Sequence, residues 1–163
     1  MAAKKVTTNA LLVALIVVTG ALKVPGLIPG TEFQLSAPIA VAICAVFGFR
    51  QYFMAGILAS MVGLLLGTQT LLTTAVAMIF RVTVGIVLVT FGPSYPVIIL
   101  AGPAGSFLAR LSLAGFLGQG VWAIIAVAVP GMIYTACSAW PLTLLLRKVR
   151  RQTERVIVYA VQR

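Results

Sequence analysis

The 163-residue sequence contains no aspartate and no histidine, and its acidic residues are two glutamates. Without those groups a catalytic triad, a carboxylate dyad, a metal cage or a phosphoryl-transfer carboxylate cluster cannot be assembled. The phosphate-binding pattern GxxxxGK[ST] is also absent, which excludes ATP hydrolysis by that route. Cys44 and Cys137 lie in apolar stretches without metal-ligand spacing, where a thiol behaves as a small hydrophobe. We therefore expect no catalysis, no metal and no other cofactor.

Charged residues are scarce as well. They make up 9% of the chain, whereas 61% of the residues are hydrophobic and the mean hydropathy is +1.14; soluble domains carry about 25% charged residues. The net charge of +10 does not indicate nucleic-acid binding, because the basic residues flank apolar segments. This composition predicts an all-α integral membrane protein with one compact domain.

Glycine, proline and charged residues divide the chain into six apolar segments. The predicted spans are residues 7–24, 36–49, 52–66, 70–90, 97–117 and 121–146. Each is bounded by turn-forming residues or by charge, and the second is short for a helix that needs about 20 residues to cross a bilayer. Residues 25–35 are predicted to form a loop, and the basic tail 147–163 is predicted to lie against the inner leaflet.

The distribution of lysine and arginine predicts the orientation. The basic residues near the N-terminus, at Arg50 and in the tail fall on one side of a six-span arrangement, and Lys23 falls on the other. By the positive-inside rule both termini are cytoplasmic. The alternative is that the first apolar segment after Lys4 and Lys5 is a cleaved secretory signal. An uncleaved first helix explains the following spans more simply.

Arg81 and Arg110 are unusual because each lies inside a long apolar segment. A guanidinium stays charged in a protein, and it costs a few kcal/mol or more in hydrocarbon unless it faces a partner or a watery cavity. Arg81 is predicted about 16 Å below the outer surface and Arg110 about 10 Å below it. Glu154 belongs to the basic tail, so Glu32 is the acidic residue that remains for both. The sequence predicts that an anionic ligand supplies the missing charge; the alternative is that the arginines snorkel or cap carbonyl groups.

Further polar and aromatic residues fall near the predicted outer opening of this cavity. The predicted binding residues, besides Arg81 and Arg110, are Glu32, Phe33, Gln34, Thr73, Thr74, Ser106, Gln119 and Trp122. For the threonines and the serine the structural alternative is a hydrogen bond to the i−4 carbonyl. For Trp122 the alternative is an anchor at the membrane interface.

In the order of its segments, the chain resembles the substrate-binding S component of an energy-coupling factor (ECF) vitamin transporter. The shared features are six apparent spans with basic cytoplasmic ends, a long first outer loop, and the pair Ala10 and Ala14 where that family has an Ala-x-x-x-Ala motif. The segments 30–38 and 48–49 are also similar. The outer loop does not match any one vitamin subfamily, so the resemblance does not choose a substrate.

The resemblance implies a substrate-binding subunit in a prokaryotic cell membrane. Its implied partners are a membrane coupling subunit, which Ala10 and Ala14 would face, two cytoplasmic ATPase subunits, membrane lipids, and a vitamin that bears a carboxylate or another anionic group. Two other hypotheses remain at this stage. One is a small multi-span membrane scaffold that transports nothing. The other is an autonomous exporter, which would need a titratable carboxylate in the membrane.

Overall fold

The computed structural model describes the backbone of residues 2–25, 32–118 and 121–161, and side chains within 6–22, 35–116, 118, 122 and 124–153. Over these ranges the chain forms six helices. They are α1 (Ala2–Ala21), α2 (Ser36–Phe47), α3 (Phe49–Leu65), α4 (Leu71–Phe91), α5 (Tyr95–Leu117) and α6 (Val121–Val161). The prediction of an all-α bundle is confirmed.

Helix α2 lies at the centre of the bundle and contacts each of the other five helices. Its residues Pro38 to Cys44 are all buried. A helix that is apolar on all sides lies in a protein core or in the hydrocarbon of a membrane. Here protein covers it, since Val41, Ala42 and Ile43 have no exposed surface. The other helices surround α2 in the order α1, α3, α4, α5, α6, with contacts between successive members.

Three helices are long and apolar enough to cross a membrane: Leu71–Phe91, Tyr95–Phe116 and Ile124–Thr153. The apolar parts of the other helices, Val6–Ala21, Ser36–Phe47 and Phe49–Leu65, are shorter. Helix α2 has 12 residues, a length of about 18 Å against a hydrocarbon core of about 30 Å. Its enclosure by protein explains how a helix of this length is accommodated.

Two predicted boundaries were wrong. The turn between the second and third spans was placed at Arg50 and Gln51, but it is made by Gly48, whose φ of 86° suits glycine. Arg50 and Gln51 therefore belong to the first turn of α3. The tail 147–163 is not a separate segment, because α6 continues as a helix to Val161. No proline or glycine follows Arg147 to end it.

The predicted loop 25–35 was also only partly right. Strand β1 (Lys23–Pro25) pairs antiparallel with β2 (Glu32–Gln34), with Val24 opposite Phe33. Strand β2 contacts both α1 and α6. This short hairpin therefore covers one end of the bundle, next to the end of α1 and the start of α6.

Candidate binding site around Arg81

Arg81 lies at the middle of α4 and is 6% exposed. Its side chain runs along α3, where a Cβ atom placed on Gly56 would lie 2.7 Å from the Arg81 Cδ and Nε atoms. One turn further along α3, the Arg81 Nη1 atom donates a hydrogen bond to Ser60 Oγ at 2.7 Å. The guanidinium is thus held between two helices inside the bundle.

The local sequence explains why the Arg81 side chain extends along α3 toward Ser60. Side chains on a helix lean toward its N-terminus, so Arg81 extends toward the start of α4. Helix α3 runs the opposite way and ends at Leu65, close to that start. Gly56 has no side chain to block the arginine stem, and Ser60 presents its hydroxyl one turn later on the same face of α3.

The immediate surroundings of the Arg81 guanidinium are polar but neutral. Nη1 also lies 3.6 Å from Met78 Sδ. Tyr52 is fully buried and lies close enough to Arg81 to interact electrostatically. Its hydroxyl has no hydrogen-bond partner within the described part of the chain. Both glutamate side chains lie outside the described ranges.

This arrangement has unused hydrogen-bonding capacity. A guanidinium carries five N–H donors in a planar fork, and the contacts of Arg81 in the described structure are those of Nη1. A carboxylate or phosphate accepts paired hydrogen bonds from such a fork. A phenolic hydroxyl such as that of Tyr52 can donate to the same anion. The site is therefore suited to an oxyanion.

Arg110 lies elsewhere on the surface of the described bundle. It is exposed near the end of α5, and no hydrogen bond joins it to Arg81 in the described structure. Ser106, one turn before it, is partly buried. Trp122 is 81% exposed near the start of α6, which fits an anchor at the membrane interface. No hydrogen bond joins any of these three side chains to Arg81 within the described residues.

Thr73 and Thr74 stabilise the start of α4. Thr70 and Thr73 form a reciprocal capping box, in which each side chain accepts a hydrogen bond from the other residue's backbone N–H. The Thr74 hydroxyl donates to Gln69 Oε1 at 3.3 Å. Both hydroxyl groups therefore have structural roles: Thr73 caps the helix and Thr74 contacts the preceding turn. Neither bond is the i−4 hydrogen bond that was the predicted alternative to ligand binding.

The predicted residues of the first loop have a described backbone but not described side chains. Glu32, Phe33 and Gln34 form β2. Gln119 lies outside the described residues. Their roles in binding remain predictions.

The predicted docking pair lies on an open face of α1. Ala10 and Ala14 are exposed, whereas Leu12, Ile16 and Thr19 on the opposite face are buried. The exposed face is apolar, since Leu11 is 67% and Val18 58% exposed. In the described structure, this face is available to a partner helix or to lipid.

Sequence reasoning did not identify Tyr52 or Ser60 as neighbours of Arg81. Tyr52, Gly56 and Ser60 recur every fourth residue, so they share one face of α3. A glycine between two polar residues on one face leaves room for a long side chain from a neighbouring helix. That spacing was the available signal, but it does not identify which helix supplies the side chain.

A six-helix bundle with three helices long and apolar enough to cross a membrane defines the class: the chain is a helical membrane protein. The chain is 51% identical to Protein BioX of Lysinibacillus sphaericus over 142 residues. The aligned region covers 87% of this chain and 86% of that protein. It belongs to the same family as BioX. No protein-family model and no solved structure matches the chain.

Proposed function

We propose that this protein is the substrate-binding subunit of an ECF-type importer for a micronutrient that carries a carboxylate. The observation that supports the proposal most directly is the position of Arg81. Its buried guanidinium contacts Ser60 and Met78, with Tyr52 nearby, and in the described structure none of these neutral groups balances its charge. A protein retains such a costly group more readily when a bound anion compensates it.

Among carboxylate micronutrients, biotin is the first candidate. The sequence analysis left open biotin, pantothenate, nicotinate, lipoate and folates. The name of the relative, BioX, is the reason to begin with biotin. In this proposal the Arg81 fork and the Tyr52 hydroxyl bind the carboxylate, while an aromatic residue of the first loop, Phe33, covers the rest of the ligand.

Binding requires movement of the bundle. Arg81 is 6% exposed, so a ligand reaches the guanidinium only after α3 and α4 separate near Ser60 or after the hairpin over α1 and α6 shifts. We propose that the first loop closes over the ligand once it is bound. Arg110, exposed on α5, would attract the anion at the opening before Arg81 receives it.

Energy would come from other subunits. The chain has no phosphate-binding loop of its own, and the exposed face of α1 around Ala10 and Ala14 is a suitable surface for a helix of a coupling subunit. Two cytoplasmic ATPase subunits would complete the complex. The protein would itself carry out binding and not catalysis.

A membrane scaffold without a substrate is the second candidate, and one observation favours it. Arg81 is already covered and hydrogen-bonded to Ser60, as a purely structural arginine would be. The two hypotheses differ in what the purified protein retains and in what happens when Arg81 is replaced.

Ligand binding by purified variants tests the proposal. The protein purified gently from its own membrane should retain a small carboxylate detectable by native mass spectrometry. Biotin affinity should fall by roughly 10- to 100-fold in Arg81→Ala, because a hydrogen bond to a charged group contributes about 1.5–3 kcal/mol. Arg81→Lys should also lose affinity, since an ammonium lacks the planar fork.

Arg50→Ala is the matched control, because Arg50 is an exposed arginine in the first turn of α3. The affinity of Arg50→Ala for biotin should equal that of the wild type. Retention of lipids alone, together with no stabilisation by biotin or the other carboxylate vitamins, would favour the scaffold. Unchanged biotin affinity in Arg81→Ala would remove Arg81 from the site while leaving the receptor function open.

A further inference from the structure

A second basic site lies at the other end of the bundle, away from the hairpin. A cavity of about 260 Å³ is lined there by Ala45 and Val46 of α2 and by Arg147, Arg150 and Arg151 of α6. Three of the residues that line it are arginines. Like charges held around one cavity attract an anion.

Backbone carbonyl groups of two neighbouring segments hold two of these arginines in position. Arg147 Nη2 donates to the Pro93 carbonyl oxygen at 3.3 Å, in the turn between α4 and α5. Arg150 Nη1 donates to the Val46 carbonyl oxygen at the end of α2, and its guanidinium lies 5.5 Å from the centre of the Phe47 ring. The α6 arginines therefore bridge α2 and the α4–α5 turn, so the cavity walls are tied together.

Aromatic side chains place this cavity at a membrane surface. The Arg147 guanidinium lies 5.9 Å from the Trp140 ring centre. The Trp140 and Tyr95 rings make an edge-to-face contact, with their centres 4.8 Å apart. Tryptophan and tyrosine concentrate at the level of the lipid headgroups. Arg147 follows Trp140 by two turns of α6, and its side chain leans back toward the helix N-terminus, so its guanidinium lies at the level of the Trp140 ring.

We propose that this cavity, the α6 arginine pocket, binds the phosphate group of an anionic phospholipid. Guanidinium groups bind phosphate oxygens through paired hydrogen bonds, and basic residues next to membrane-spanning helices attract anionic headgroups. The exposed apolar side chains of α6 near the pocket would contact the acyl chains. The pocket is separate from Arg81, so this proposal does not depend on the transport hypothesis.

A lipid is favoured over free phosphate by the location of the pocket. The aromatic pair at Trp140 and Tyr95 puts the arginines at the headgroup layer, where phospholipid phosphate is present at far higher local concentration than any dissolved ion. The contact of Arg147 with Pro93 also means that a bound headgroup would link α6 to the α4–α5 turn. Binding should therefore stabilise the fold.

Lipid titrations on the full-length protein test the assignment. The protein, delipidated in a neutral detergent, is titrated with phosphatidylglycerol, with phosphatidylcholine and with inorganic phosphate, while bound lipid is counted by native mass spectrometry and the melting temperature is recorded. Four proteins are compared: wild type, Arg151→Gln, the double variant Arg147→Gln with Arg151→Gln, and Lys148→Gln. Lys148 is exposed and does not line the pocket, so its replacement removes one charge from the same helical turn as a control.

Phosphatidylglycerol should bind the wild type and Lys148→Gln equally and raise both melting temperatures. Arg151→Gln should weaken that binding about fivefold, and the double variant by at least 20-fold, if each arginine contributes about as much as a basic residue at an anionic surface. Arg151 makes no hydrogen bond within the described structure, so Arg151→Gln remains informative even if the double variant does not fold.

Four results would overturn the assignment. Equal weakening in Lys148→Gln and Arg151→Gln would show diffuse attraction to the basic tail. An equal response to phosphatidylcholine would show binding of acyl chains without phosphate charge selection. An equal response to inorganic phosphate would make the ligand a dissolved anion. If a partner protein co-purifies with the wild type and is lost specifically in Arg151→Gln, the pocket binds acidic residues of that partner.

Discussion

At the scale of single residues, the Arg81 hydrogen bond to Ser60 is the contact on which the buried charge depends. Nη1 and Oγ are 2.7 Å apart, and Ser60 is 1% exposed. Water cannot easily replace the serine hydroxyl at that position. Removal of the hydroxyl should leave part of a buried cation without a hydrogen-bond partner, which is more costly than the loss of an ordinary surface contact.

Ser60→Ala should therefore lower the free energy of unfolding by about 1.5–3 kcal/mol, measured by thermal or denaturant unfolding in detergent. Ser112→Ala is the control, because the Ser112 hydroxyl bonds the Leu108 carbonyl oxygen of its own helix and alanine is a better helix former. The control should unfold like the wild type. Equal stability of Ser60→Ala and Ser112→Ala would mean that Arg81 is not anchored by Ser60.

At the scale of helices, glycine decides how closely α5 approaches its neighbours. A Cβ atom on Gly102 would overlap the Thr135 side chain of α6 and would lie 3.5 Å from Val41 of α2. Thr135 is fixed in turn, because its hydroxyl donates to the Gly131 carbonyl oxygen. Helix α5 can contact α6 at this level only when residue 102 has no side chain.

Gly102→Ala should destabilise the bundle by about 1–3 kcal/mol because the helices must move apart. Gly115→Ala on the same helix is the matched control: a Cβ atom there would meet nothing within 4 Å, and alanine should stabilise the helix by up to about 1 kcal/mol. Opposite shifts in melting temperature are expected. If both substitutions stabilise the protein, α5 and α6 do not pack as closely as described.

The stripe of small residues on α3 has two separate uses. Ala55 and Ala59 are buried against neighbouring helices. Gly56 and Gly63 accommodate long side chains, since Cβ atoms there would lie within 3.0 Å of Arg81 and Gln69 atoms respectively. Gly67 falls beyond the end of the helix and has a φ of 68°, so it belongs to the turn.

At the scale of the whole molecule, α1 presents the surface on which the proposed assembly depends. Ala14→Trp should abolish co-purification of a coupling subunit and ATPases, because an indole on this face prevents close approach of a second helix. Biotin binding should be unchanged, since Ala14 is exposed on α1 and Arg81 lies between α3 and α4. The measurement is affinity purification from the native membrane followed by mass spectrometry.

Ala75→Trp is the control for that experiment, because Ala75 is an exposed alanine on α4. It should retain any partner subunits that the wild type retains. Loss of the partners in both variants would indicate general damage to the surface, and their retention in Ala14→Trp would exclude this face of α1 as the docking site. Absence of ATPases from the wild-type preparation would instead favour the scaffold.

Much of the architecture followed from local sequence. The apolar segments and their glycine and proline boundaries predicted six helices, because hydrophobic length and missing backbone donors act within a few residues. Boundaries shifted where local signals conflicted. Arg50 suggested a turn, but the turn is made by Gly48, which has a positive φ. The fifth span was predicted to begin after Pro96, at residue 97, whereas α5 begins at Tyr95, because proline is tolerated in the first turn of a helix.

By itself the sequence determined that this is a helical membrane protein, that it contains no aspartate and no histidine, and that Arg81 needs a partner. Tertiary structure decided which groups surround Arg81. Tyr52, Gly56 and Ser60 come from another helix, and no spacing within one segment states which helices pack together. The same holds for the central place of α2 and the α6 arginine pocket, because both depend on contacts between segments far apart in the chain.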